Sequence, residues 1–530
     1  RDWSVTGVQT CALPIYWNVA LASGGDSGRL SPDFGMKRFI PWLAAALSVA
    51  WVVSLLIPPA EKEFQTREFG RLPVLLNGRV QPLDSVARNA LLQLRAKQTV
   101  RVQEAQSGST VLTLSAIDWL KEVLFQPEVA DTRPTFRIDH PEVISLLKIQ
   151  REDKHFSFAE ITSGMEELER EARRINEANL KPEQQNPFEK AVSGLYSRVI
   201  LYQRLKNSLK PESVKELGKF LGDYAKAIEP GRAAITAQRE GKAFDQAAMD
   251  ALIRPLTQIE MVSRFAYPLL VPIPNPEHAR EDWSNVGKAL MEAARTGTMP
   301  EAVGFYATMH DAYRAGDSAR FNTAVADYHA WLTARGYAQE VGKGRSEHFF
   351  NRLQAFYKSM VLYVAALVCA FISWFNRNET LRRTAVALTA VALVLHTTGL
   401  IYRMVLEGRP PVTNLYSSAI FIGWGTVGLG LILERFYKDG IGTVVAGLTG
   451  FVTLVVAHNL SMSGDTMEML RAVLDTNFWL ATHVVVITLG YSAMFVAGFL
   501  AVLYILRGFF TSSLTPPAAR GLARMVYGVT

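Results

Sequence analysis

Residues 384–403 read TAVALTAVALVLHTTGLIYR, nineteen positions without a charged side chain before Arg403 closes the run. A helix of about 20 predominantly apolar residues crosses the hydrocarbon core of a bilayer. Runs of the same kind stand at 356–375, 415–434, 441–458 and 478–506, and another at 39–57 is closed by Pro58-Pro59. The expected fold is an all-α, polytopic membrane helical bundle of about six spans.

The 530 residues are 49% hydrophobic and 20% charged, with Lys+Arg 56 against Asp+Glu 49. That balance suits basic cytoplasmic loops, and no basic stripe with interleaved aromatics argues for a nucleic-acid partner. Two cysteines cannot build a disulfide framework, a CxxC redox pair or a Cys-rich zinc site. One of them, Cys11, lies in residues 5–15, VTGVQTCALPI, which look like the translation of a sequencing adapter. Residues 1–35 are therefore set aside as artefact or disordered tail, with Met36 expected as the true start. The other, Cys369, sits among Val, Leu and Ala in mid-span and reads as a small apolar side chain.

Residues 36–58 are expected to form an N-terminal transmembrane anchor, since no clean small-residue cleavage site follows the apolar run. Residues 59–354 are polar, helix-rich and long enough to bury a core of their own, and residues 355–530 hold the remaining spans. Phe188, Val192, Leu195, Val199 and Tyr202 recur at helical spacing, started by Asn186, Pro187 at the first helical position and Glu189 at the capping-box position. Further helices are predicted at about 164–178, 212–228, 283–296 and 317–335, with few strands. Arg377, Arg382 and Arg383, then Arg435 and Lys438, then Arg507, Arg520 and Arg524, mark the cytoplasmic loops. The 59–354 part and the loops 404–414 and 459–477 then fall outside the cytoplasm, in the periplasm if the membrane is a bacterial inner membrane.

Ionisable groups within or at the mouth of a span are costly and point to function. His396, His458 and His483 all fall in the outer half of their spans, and neutral imidazole is the usual protein ligand of haem iron. Trp479 precedes His483 by four residues and shares its helix face, where an indole could lie against a porphyrin edge. Two of the three histidines have a plainer reading, His458 as a helix-end cap and His396 as an interhelical hydrogen bond, while His483 has no such cap to make. Arg403 and Arg409 run against the positive-inside bias and suit carboxylates such as haem propionates, although Arg403 could equally snorkel at its helix end. Thr413 or Asn414 can cap the next helix. Elsewhere Pro141 makes His140 or Asp139 a helix-start residue, His310 and His329 lack ligand spacing, and Glu166, Glu167, Glu169 and Glu171 form a solvated face. No Gly-rich phosphate loop or nucleophile elbow occurs, so no catalytic residue is assigned.

Two segments carry a resemblance: Gly408-Arg-Pro-Pro-Val-Thr-Asn-Leu-Tyr-Ser-Ser418 and Asn477-Phe-Trp-Leu-Ala-Thr-His-Val484, the latter followed by Gly490-Tyr491-Ser492. Both are similar to the CcsA (ResC) family of system II cytochrome c biogenesis, within the cytochrome c assembly protein family, over roughly residues 355–530. Residues 72–85, LPVLLNGRVQPLDS, and 115–120, SAIDWL, look like the large extracytoplasmic domain of some bacterial members. The resemblance implies that haem b is presented at the outer face by two histidines flanking a Trp-rich motif. It is then joined to the Cys-x-x-Cys-His of apocytochrome c with a ResB/CcsB-type membrane partner, as part of a haem-attaching synthase. His483 matches the first of those histidines and is the expected iron ligand. The motif Trp-Gly-x-x-Trp-x-Trp-Asp is missing here, and so is the second outer histidine. The expectation is a sequence interrupted at Thr530 before that segment.

Two other classes remain open from the residues. A haem or small-molecule permease would show broken spans and midplane charges. A non-catalytic assembly scaffold would use the spans only as an anchor.

Overall fold

The computed structural model describes residues 33–58, 60–61, 63–103, 111–179, 181, 183–273, 283–376, 378–467, 477–510 and 514–530. Residues 1–32, with the adapter-like stretch and Cys11, lie outside them. One large hydrophobic cluster gathers buried side chains from Phe69 to Val341, and separate smaller clusters hold the apolar helices together.

The part before the spans is mostly helical. Pro187–Lys206 starts as the sequence predicts: the Glu189 amide donates to Asn186 Oδ1 at 2.8 Å and the Asn186 amide to Glu189 Oε2 at 3.1 Å. Val192, Leu195, Val199 and Tyr202 are buried along its inner face. Met165–Glu177, Val286–Thr296 and Ser318–Ala334 match their predicted ranges. The helix expected at 212–228 instead runs Leu217–Arg239 and passes through Pro230. Its start is fixed from outside: the Asp311 carboxylate, on another helix, accepts the amides of Leu217 and Gly218 at 3.1 and 2.9 Å. The few strands form antiparallel two-stranded pairs. In one of them, Pro73–Leu76 pairs with Arg79–Pro82 around Asn77 and Gly78, both at positive φ (51° and 73°), the turn that Asn-Gly favours.

Among the described residues, five helical stretches are long and apolar enough to cross a membrane: Ala338–Trp374, Glu379–Glu407, Leu415–Tyr437, Ile441–Leu460 and Ala481–Phe510. The chain is a multi-pass helical membrane protein. The sixth expected span is shorter than those five: the helix begins at Asp33, before Met36, and its apolar part is only Arg38–Ser54. Residues 55–57 have already left the helix ahead of Pro58, as the residue before a proline tends to do. This helix packs along Glu379–Glu407, and its Val52 joins the same cluster as Leu395 and Leu400. Small residues bring two spans close. A Cβ on Gly442 would lie 2.6 Å from the Glu434 amide, and one on Gly430 would lie 2.7 Å from the Gly442 carbonyl.

Candidate functional site

Where the N-terminal part meets the ends of the spans, a cavity of about 630 Å³ opens between them. That size is in the range of small-molecule and cofactor sites. One wall is the helix Leu83–Arg95 and the turn after it, where Ala96 takes a left-handed conformation and Lys97 follows. The opposite wall brings Phe356, Tyr357 and Met360 from the first span and His458 from the end of Ile441–Leu460. That last helix ends in a 3-10 turn, Ser461–Ser463, and then Gly464 at φ 134°, a backbone shape favourable only to glycine.

Beyond Gly464 the chain is held from two sides. Asp465 Oδ2 accepts from Arg79 Nη2 at 2.7 Å, so the N-terminal hairpin grips this segment. The Thr466 carbonyl accepts from Arg403 Nη2 and from Asn414 Nδ2, each at 2.8 Å, so two spans grip it as well. Arg79 also pairs with Glu347 at 2.5 Å, whose other oxygen accepts from Ser85 Oγ at 2.6 Å. Burial alone would lower the Arg79 pKa, but the Glu347 and Asp465 carboxylates raise it above the ordinary arginine value. A largely buried cation shared between two carboxylates, one of them the buried Glu347, is costly to break from either side.

The expected residues fall into three places. His458 is exposed and lines the cavity. His396 is fully buried behind it: its ring meets Phe356 edge-on at 5.5 Å, and Nδ1 lies 3.1 Å from the Tyr363 hydroxyl. Its Nε2 lies near the Ile420 carbonyl without a well-formed hydrogen bond. Arg403 is buried rather than snorkelling, 4.9 Å over the Tyr416 ring and paired with Glu407 at 2.6 Å. Asn414 caps its helix with Ser417 as its capping-box partner, Arg409 is half-buried, and Cys369 is a free thiol within a span. His483 and Trp479 are exposed on Asn477–Phe510, away from the cavity lining.

Arg79, Lys97, Glu347 and Asp465 carry no local sequence signal that marks them for the site. Arg79 follows an Asn-Gly turn and Asp465 follows a glycine, yet nothing local pairs positions so distant in sequence. The helix-start reading of the His140 region holds, with His140 preceding Pro141 at the first helical position. His310 and His329 stand on separate helices, and His310 is spent on Asp311 at 2.8 Å.

No family model matches the chain. It is similar to the protein HemX of Brevibacillus brevis, 26% identical over 149 residues that cover 28% of this chain and 54% of that protein. Cytochrome c biogenesis protein CcsA of Prochlorococcus marinus (strain NATL2A) is 33% identical over 119 residues, 22% of this chain and 36% of the relative. Protein NrfI of Wolinella succinogenes is 26% identical over 263 residues, 47% of this chain and 28% of the relative. The chain therefore spans about half the length, or less, of these curated relatives. The 263-residue match is longer than the whole of residues 355–530, so it reaches into the part before the spans. With CcsA sequences recurring among the matches, the chain is similar to the CcsA-type cytochrome c biogenesis proteins over part of its length.

Proposed function

We propose that this protein acts in cytochrome c biogenesis by binding haem b at the outer ends of its spans and presenting it to apocytochrome c. The observation that carries the reading is the junction cavity, where an open imidazole, an aromatic wall and two cationic side chains converge. The fit to haem rests on His458, whose ring is open to that space; His396, buried behind Phe356, does not line it. Phe356, Tyr357 and Met360 offer the apolar face a porphyrin needs, while Lys97 on the opposite wall suits a propionate, beside Arg88, which is already paired with Asp84 at 2.8 Å. Arg403 and Asn414 position the 464–467 segment that borders the cavity, and are not free propionate donors. His483, exposed on the next span, does not line this cavity, and the ligand role that the resemblance implies for it belongs to a separate position at the outer face.

Haem held there would supply two vinyl groups, to each of which one thiol of a Cys-x-x-Cys-His segment could add, sulfur to one carbon and the proton to the other. The chain's own task is then proximity and orientation, which needs no paired carboxylates. In this reading the 59–354 part stands outside the cytoplasm of a bacterial inner membrane and covers the cavity, beside a ResB/CcsB-type subunit. Titrating haem into the full chain in detergent, with His458→Ala, His396→Ala and His483→Ala in parallel, tests it. A Soret band that shifts or weakens in His458→Ala or His483→Ala is expected. A chain that binds no haem, or a spectrum identical in all three variants, overturns the reading.

A further inference from the structure

At the C-terminal end of the helix Leu83–Arg95, a second cavity of about 720 Å³ is lined by four arginines, Arg95, Arg101, Arg133 and Arg151, with His155, Asp153 and Glu160 among them. The carboxylates are already engaged. Arg151 holds Asp153 at 3.0 Å and Glu160 at 3.2 Å, and Asp153 also accepts the amides of Lys154 and His155. Arg133 is paired bidentately with Glu122, at 2.8 and 2.7 Å. That leaves Arg95 and Arg101 with no carboxylate partner among the described residues.

Arg95 is the unusual one. Its side chain is 4% exposed, it bonds only the Pro134 carbonyl through Nη1, and its Nε has no partner among the described residues. An arginine is rarely buried unless its charge is paired. Burial lowers the Arg95 pKa first, and the Arg101 charge opposes it further while Asp153 only partly compensates. The His155 imidazole feels the same field: burial and the charges of Arg95 and Lys97 hold it below its ordinary value, and its Nε2 is likewise without a partner. Arg95 thus lines a cavity of net positive charge with a guanidinium that is only partly bonded, and a planar guanidinium fork matches the two oxygens of a carboxylate or phosphate.

We propose that this cavity is a binding site for a small molecule carrying an oxyanion, a carboxylate or a phosphate, held by Arg95 with Arg101 at the rim. It stands apart from the haem reading, which uses none of these residues.

Isothermal titration calorimetry on the full chain in detergent tests the site, with inorganic phosphate and citrate as separate probes and sodium chloride at matched ionic strength. Saturable binding of phosphate or citrate, absent with chloride, is expected, and whichever binds more tightly identifies the source of the oxyanion. Affinity should fall at least ~10-fold in Arg95→Met and measurably in Arg101→Ala. Arg101 is exposed, so that variant keeps the fold and reports on binding alone. Arg95→Lys, which keeps the charge and loses the fork, should restore only part of the affinity. No heat beyond the chloride control, or affinity unchanged in both Arg95→Met and Arg101→Ala, overturns the site.

Discussion

Asn414 serves two structures with one amide. Its Oδ1 accepts the Ser417 amide at 2.9 Å and caps a span, while its Nδ2 donates to the Thr466 carbonyl and holds the segment beside the cavity. Asn414→Ala removes both and should lower stability by about 1–3 kcal/mol, read as a lower melting temperature in detergent. Asn414→Asp keeps the cap and loses the donor, so it should recover about half of that loss. The cap was legible, because an Asn precedes an apolar run; the bond to Thr466 was not, because it joins residues far apart in the chain. His396 is a similar case. Its place in an apolar run marks it as costly, but only the fold supplies Tyr363 and Phe356 as its neighbours.

Helix ends and helix contacts decide the shape of the junction. Five spans were legible as apolar runs because the bilayer imposes a length that sequence states directly. The shorter helix at Arg38–Ser54 and the continuation through Pro230 were not, since packing partners fix both. Gly430 and Gly442 allow Leu415–Tyr437 and Ile441–Leu460 to touch through their backbones, so Gly442→Val should force them apart at a cost of ~1–3 kcal/mol. A melting temperature equal to wild type would contradict that contact. Arg79 joins the hairpin Pro73–Pro82 to Glu347 and to Asp465, and Arg79→Ala should cost ~3 kcal/mol by stranding two carboxylates. Hydrogen exchange should then speed up at residues 459–467 while the distant helix Pro187–Lys206 keeps its protection.

Across the whole molecule, acid weakens the part before the spans. His155, His310 and His329 are each held below the ordinary value of 6.5, chiefly by burial. The folded chain therefore prefers their neutral rings. The stability they contribute is complete above about pH 6.5 and is lost as pH falls through the depressed folded values. The melting temperature should drop between pH 7 and pH 5, and His310→Phe should flatten that slope. The junction itself is the feature that no single run of sequence could show, because its walls come from residues near 85–99, 347–360, 403–416 and 454–467. The central claim is that haem lies in this cavity, and oxidative footprinting of the haem-loaded full chain tests it most directly. With peroxide added and sites mapped by mass spectrometry, oxidation should concentrate at Tyr357, Met360 and Met467. Oxidation that spares these three and falls elsewhere on the molecule would contradict it.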